Sequence, residues 1–264
     1  MKLNIYQIDA FTNSVFMGNP ACVVQLETWL PKETLLNIAK ENAVAETAFF
    51  IMDSNSIKLR WFTPEIEMDL CGHATLATAH CIKSILNYSS DTIEFDTASG
   101  LLKVTYKEDM YYMDFPSRMP TIAKLPEPIL QSLNIKPKAV FKSRDYVLLY
   151  ENQQEIESIK IERTLFDQLN IDPGGVVVTA KGDYCDFVSR FFTPQASILE
   201  DPVTGSAHCS LIPFWAEKLG KQKMLAYQIS ERKGELVCQN LKNRVLIAGK
   251  AITYMKGEIL VKNF

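Results

Sequence analysis

Arg60-Trp61-Phe62-Thr63-Pro64 leads through an acidic segment into Cys71-Gly72-His73-Ala74, and Arg190-Phe191-Phe192-Thr193-Pro194 leads through another into Thr204-Gly205-Ser206-Ala207. The two starts lie about 130 residues apart in a chain of 264, almost half its length. In each copy an aromatic, strand-like run stops at Thr-Pro, crosses a loop and reaches a glycine that opens an apolar-periodic, helical segment. Each copy therefore delivers a helix N-terminus. Its unpaired N–H groups and dipole suit an anion such as a carboxylate without needing a basic side chain. The repeat predicts two pseudo-equivalent halves with a site between them.

Outward from the first copy, alternation predicts strands at Leu3–Asp9, Ala21–Leu26, Ala45–Met52 and Ile57–Phe62, with a helix opened by Pro31 and running to Asn42. A helix from His73 to about Leu86 follows, then strands at Thr92–Asp96, Leu101–Tyr106 and Met110–Phe115. The proline-rich stretch 116–128 sets a boundary between a first half, 1–118, and a second, 119–255, with 256–264 as a candidate final strand of the first. The second half reads as a helix at Glu127–Leu133, strands at Asp145–Tyr150 and Gly175–Ala180, an amphipathic stretch at Arg163–Asn170, the strand Tyr184–Phe192 and the helix Gly205–Leu219. Strands at Met224–Ser230, Glu235–Cys238, Arg244–Gly249 and Ala251–Val261 end the chain. The pattern is α+β: two pseudo-symmetric halves, each a mostly antiparallel sheet wrapped around its own helix.

Composition narrows the function. Twenty-eight basic against 31 acidic residues give a net charge of −3 with no basic block, which argues against a nucleic-acid surface. No stretch approaches the roughly 18 uninterrupted apolar residues of a membrane span, and the N-terminus alternates instead of carrying a signal-peptide core. The six cysteines are scattered without a C-x-x-C pair, as reduced thiols of a cytoplasmic protein would be.

Candidate residues each carry a plain structural alternative. Glu46 is an isolated carboxylate in an otherwise apolar strand run, either solvent-facing or functional. In a partly apolar site it would suit proton transfer near neutral pH. Asp201 precedes the second helix, where acids also form turns. His73 follows Gly72 at the first helix terminus and can donate to a ligand or simply pack. His80 and His208 fall inside helices, where core or surface roles are commoner. Cys71 at a helix N-terminus could be a base, but a two-thiol racemase needs a partner thiol near Pro202, and Cys209 comes a turn too late. Ser206 has no evident His-Asp arrangement and reads as a ligand contact.

The sequence resembles the PhzF (phenazine biosynthesis-like) family of isomerases, which have a diaminopimelate-epimerase-like fold. The motifs are Asp9-Ala10-Phe11-Thr12, Gly18-Asn19-Pro20-Ala21, Ala45-Glu46-Thr47-Ala48-Phe49, Cys71-Gly72-His73-Ala74-Thr75 and Asp201-Pro202-Val203-Thr204-Gly205-Ser206-Ala207. The resemblance implies Glu46 as catalytic acid/base, with Asp201 and His73 in the same cavity. It implies substrate contacts from Asn19, Gly72, His73, Ala74, Gly205 and Ser206, a small carboxylate-bearing substrate, no metal or organic cofactor, and a homodimer. The competing expectations are a thiol-based amino-acid epimerase using Cys71 and a binding protein without turnover.

Overall fold

The computed structural model describes residues 1–53, 56–171 and 174–261. Residues 262–264 of the expected C-terminal strand lie outside them. The chain divides into two compact units: Met1–Asp114 with the stretch from Ala248 onward, and Phe115–Ile247. These bounds lie at 114 and 248, against the expected 118 and 256.

The first unit contains β1 (Lys2–Ala10), β2 (Asn19–Leu26), α1 (Lys32–Asn42), β3 (Glu46–Met52), β4 (Ile57–Phe62), β5 (Glu67–Met68), α2 (Gly72–His80), β6 (Thr92–Thr97), β7 (Gly100–Lys107) and β8 (Met110–Pro116). The second contains β9 (Thr121–Ile122), α3 (Glu127–Ser132), β10 (Ala139–Lys142), β11 (Tyr146–Leu149), α4 (Gln153–Ser158), α5 (Arg163–Phe166), β12 (Val176–Lys181), β13 (Phe187–Phe192), β14 (Glu200–Asp201), α6 (Gly205–Leu219), β15 (Lys223–Gln228), β16 (Gly234–Asn240) and β17 (Arg244–Gly249). The chain then returns to the first unit as β18 (Ala251–Leu260).

The same pairing scheme appears in both units. In the first, β2 runs parallel to β3, β3 antiparallel to β4, and β4 parallel to β6. In the second, β11 runs parallel to β12, β12 antiparallel to β13, and β13 parallel to β15. Further neighbours, among them β1–β2, β1–β18, β6–β7, β7–β8, β10–β11 and β15–β16, are antiparallel. The fold is α+β with mixed, mostly antiparallel sheets.

The duplicated stretch accounts for this repetition. Arg60 donates to Glu67 (2.7 Å) across the β4–β5 pairing and lies over the Phe62 ring, and Arg190 donates to Glu200 (2.8 Å from both Nε and Nη2) across β13–β14 and lies over Phe192. Thr63 N–H closes its loop on Ile66 O and Thr193 N–H closes the longer one on Leu199 O, both at 2.9 Å. The helices that follow are the most buried ones. From Gly72 to Ala79 every residue of α2 is buried, and it packs on β1, β2, β3 and β18. Helix α6 is buried along most of its length, and its Trp215 donates from Nε1 to Thr179 Oγ1 (2.9 Å).

Three expectations need correction. The helix expected to reach Leu86 is α-helical only to His80, and Cys81–Ile85 forms a π-helical turn, a wider winding that single-turn insertions produce. The amphipathic stretch 163–170 is helical only over Arg163–Phe166. Strand β10 and helix α4 were not anticipated.

Helix α6 carries Pro213 in its interior. A proline there leaves the carbonyl four residues back, Cys209 O, without its helical donor. That oxygen instead accepts Arg118 N–H at 2.9 Å, tying the proline-rich stretch onto the helix.

Candidate active site

The loop between β1 and β2 is built to deliver Asn19. Buried Asp9 accepts the Phe16 N–H (3.0 Å), and Gly18 sits at φ +65°, where a Cβ would strike the carbonyl oxygen of Ala10. Asn19 then opens β2, whose Ala21 lies opposite Glu46 in the parallel β2–β3 register. Helix α1 ends at Ala43 in the left-handed conformation (φ 51°), which turns the chain into β3 at Glu46. Register and turns thus bring together residues widely separated in sequence.

His73, in the first turn of α2, lies among them. Its Nε2 is 3.0 Å from Glu46 Oε2, with the two side chains 5% and 15% exposed. The approach is out of line for a hydrogen bond, and among the described residues neither atom has another hydrogen-bond partner. The other ring nitrogen, Nδ1, is 3.1 Å from Asn19 Nδ2 and 3.6 Å from Cys71 Sγ. With the Asn19 amide donating, Nδ1 is the acceptor and the ring proton sits on Nε2, the nitrogen beside Glu46. Turned over, the same amide would accept from a doubly protonated ring. Asn19, expected from sequence as a substrate contact, here holds His73.

The electrostatics favour that proton. Burial alone disfavours an imidazolium, but negative charge on Cys71 and Glu46 more than offsets it and holds the His73 pKa well above the usual histidine value. Burial, reinforced by the Glu46 charge, pushes the Cys71 thiol up, with His73 offsetting part of this. A neutral thiol leaves Glu46 as the main counter-charge of His73. Glu46 is thus neither a plain solvent-facing residue nor fully enclosed.

The second unit presents a different arrangement at the matching place. Cys71 and Thr204 are the extended residues preceding α2 and α6, and neither side chain caps its helix. The counterpart of Cys71 is therefore Thr204, not the Pro202 neighbourhood, because the helix start sets the correspondence. Thr204 Oγ1 donates to Asp201 Oδ2 (2.5 Å), its N–H donates to Gln228 Oε1 (2.8 Å), and Gln228 Nε2 donates to the Asp201 carbonyl (2.7 Å). Gln228 is fully buried and fixes this loop. Ser206 is half-buried in the first turn of α6, beside Gly205. Thr204 and Gln228 were missed from sequence. Only Thr204, a threonine just before the helix glycine, gave a readable signal.

The remaining histidines are structural. His80 contacts Tyr111 Oη (3.2 Å) and Thr253 Oγ1 (3.0 Å), while His208 donates from Nδ1 to Thr204 O (2.8 Å). Burial pushes both pKa values down to about 4. All six cysteines are free, and among the described residues no helix is long and apolar enough to cross a membrane.

Residues 8–257 match the family model described as phenazine biosynthesis-like protein, PhzC-PhzF. The chain is 45% identical to an uncharacterized isomerase of Pseudomonas aeruginosa, covering 98% of this chain and 99% of that one. It is 34% identical to the human phenazine biosynthesis-like domain-containing protein, with 98% and 99% covered. Among solved structures, a PhzF-family phenazine biosynthesis protein of Enterococcus faecalis superposes with a TM-score of 0.93 at 44% identity, covering 99% and 100%. A hydroxyproline epimerase of Agrobacterium vitis has a TM-score of 0.61 at 9% identity, a likeness of fold alone.

Proposed function

We propose, from the premise that this chain belongs to the phenazine biosynthesis-like (PhzC-PhzF) family, that it moves a proton within a small carboxylate-bearing molecule, with Glu46 as the acid/base. It is an enzyme of the isomerase class, as several of its relatives are named. The observation that carries the reading is the 3.0 Å approach of Glu46 Oε2 to His73 Nε2 in a largely dry setting.

Glu46 would take a proton from one carbon of the substrate, leaving the electron pair delocalised toward its carboxylate or an adjoining double bond. The resulting carboxylic acid would return that proton to a different carbon. His73 keeps the carboxylate oriented, and its positive charge opposes build-up of negative charge beside it. First-turn N–H groups at Gly72, His73 and Ala74 would take a substrate carboxylate. The resemblance extends contact roles to Asp201, Gly205 and Ser206 and implies a homodimer.

Deuterium wash-in tests this. The wild type and Glu46→Gln would be incubated in heavy water with a panel of cyclic unsaturated and amino-acid-like carboxylates, followed by NMR. For any carboxylate the wild type labels, the variant should be slower by about 100-fold or more. Labelling at the wild-type rate would remove Glu46 from the mechanism.

A second reading has one observation in its favour: Cys71 Sγ lies 3.6 Å from His73 Nδ1, so the thiol adjoins the same imidazole as the carboxylate. A thiol-based epimerase predicts that Cys71→Ser abolishes labelling. The raised thiol pKa and the threonine at the matching position weigh against it.

A further inference from the structure

The same three side chains form a donor set that proton transfer alone does not require. Cys71 offers sulfur, His73 nitrogen and Glu46 oxygen, and one ligand atom from each lies within 4.8 Å of the others. Donors around one tetrahedral zinc ion are about 3.3–3.6 Å apart, given bonds of about 2.0–2.3 Å. Glu46 Oε2 and His73 Nε2, 3.0 Å apart, lie near that spacing, and an ion held between them is completed when Cys71 Sγ, 3.6 Å from Nδ1, turns toward it.

An independent observation also points to a ligand. His73 Nε2 and Glu46 Oε2 are buried and only 3.0 Å apart, yet among the described residues neither has a well-aligned hydrogen bond. Buried polar atoms left in this way gain from an added partner. Asn19 supplies the outer contact that metal-bound imidazoles usually have. With the ion on Nε2, the Asn19 carboxamide, turned to present its C=O, accepts the N–H of Nδ1. Glu46, the least enclosed of the three, leaves a way in.

We propose that Cys71, His73 and Glu46 form a binding site for one borderline-soft divalent cation, zinc or cobalt, with the fourth position left to water. The mixed sulfur, nitrogen and oxygen set selects such ions over magnesium and calcium, which prefer all-oxygen shells. As the metal–sulfur bond forms, the thiol proton passes to solvent. The family resemblance implies no resident metal, so the ion is a ligand that competes for Glu46, and its binding does not depend on the isomerase reading.

Cobalt titration of the chelator-treated full chain tests the site without an activity assay. One equivalent of Co2+ should produce a near-ultraviolet thiolate-to-cobalt band that zinc abolishes and magnesium leaves unchanged. Cys71→Ser should lose the band, and Cys185→Ser, at the half-buried cysteine, should retain it. Glu46→Gln keeps the thiol and should weaken Co2+ binding by roughly tenfold or more. This arm decides the matter even if Cys71→Ser does not fold. Absence of a band at excess Co2+, its persistence in folded Cys71→Ser, or unchanged affinity in Glu46→Gln overturns the proposal.

Discussion

A carboxylate 3.0 Å from an imidazole, with an amide at the other ring nitrogen, makes the charge of one residue depend on two others. The consequence for stability has a definite sign. A histidine whose folded pKa is raised contributes stability that is fully present below the unfolded value, about 6.5, and is lost as pH rises through the folded value. Thermal midpoints of the wild type should therefore fall as pH increases above 6.5, and those of His73→Gln should be flatter over the same window. Parallel curves would show that the pair carries no charge-linked stability. His208 works in the opposite direction. Its pKa of about 4 favours the neutral ring, so its contribution is present above 6.5 and lost as pH falls toward 4, up to roughly 3 kcal/mol. Urea denaturation at pH 7 and pH 4.5 should show a smaller loss in His208→Gln than in the wild type, and equal losses would refute this. At this scale the sequence exposed Glu46 as a charge out of place in an apolar run. It could not expose the Glu46–His73 contact, which depends on β3 and α2 meeting in space across 26 intervening positions.

At the scale of elements, the two Arg–Glu pairs are the repeated joint between an aromatic strand and the loop before its helix. Arg190 is the more heavily committed. It makes a two-point contact with Glu200 and donates from Nη1 to the carbonyls of Ile156 (3.1 Å) and Ile159 (2.9 Å), where α4 ends. Replacing it by alanine leaves those acceptors and a half-buried carboxylate unpaired, a cost of about 3 kcal/mol by urea denaturation. Lysine should restore little, because an ammonium cannot reproduce the planar fork. Near-full rescue by Arg190→Lys would show that charge alone matters. Elements were legible where the sequence carries a strong period, as in Ile57–Phe62 and Gly205–Leu219. Helix α4 was not, since Gln-Gln-Glu-Ile-Glu-Ser has one apolar residue, Ile156. Its signal was instead the cap, with Asn152 accepting Glu155 N–H (3.0 Å) and Glu155 accepting Glu151 N–H (2.9 Å). Strand β10 is short, half-buried from Ala139 to Phe141 and exposed at Lys142, which leaves no alternation to read. The π turn after α2 had no local signature because its residues satisfy a helical pattern.

For the whole molecule, the first unit is assembled from both ends of the chain and the second from its middle. Strand β18 pairs with β1 over its whole length, from Lys2 opposite Leu260 to Ala10 opposite Ala251. Truncation after Lys250 should therefore remove hydrogen-exchange protection from β1 and β2 while β12 and β13 keep theirs. Retained protection in β1 would count against the assignment of β18 to the first unit. The same pairing has a consequence for synthesis. Strand β1 leaves the ribosome well before β18, so one edge of β1 waits about ten to fifty seconds, at roughly 5–20 residues per second, for its partner. An open edge over that interval invites pairing with other chains. The Met1 amino group meets the Val261 carbonyl, so the start of β1 and the end of β18 adjoin. A circularly permuted chain that begins at Ala251 and continues through a short linker into Met1 would make β18 and β1 as one hairpin at the outset and remove the delay.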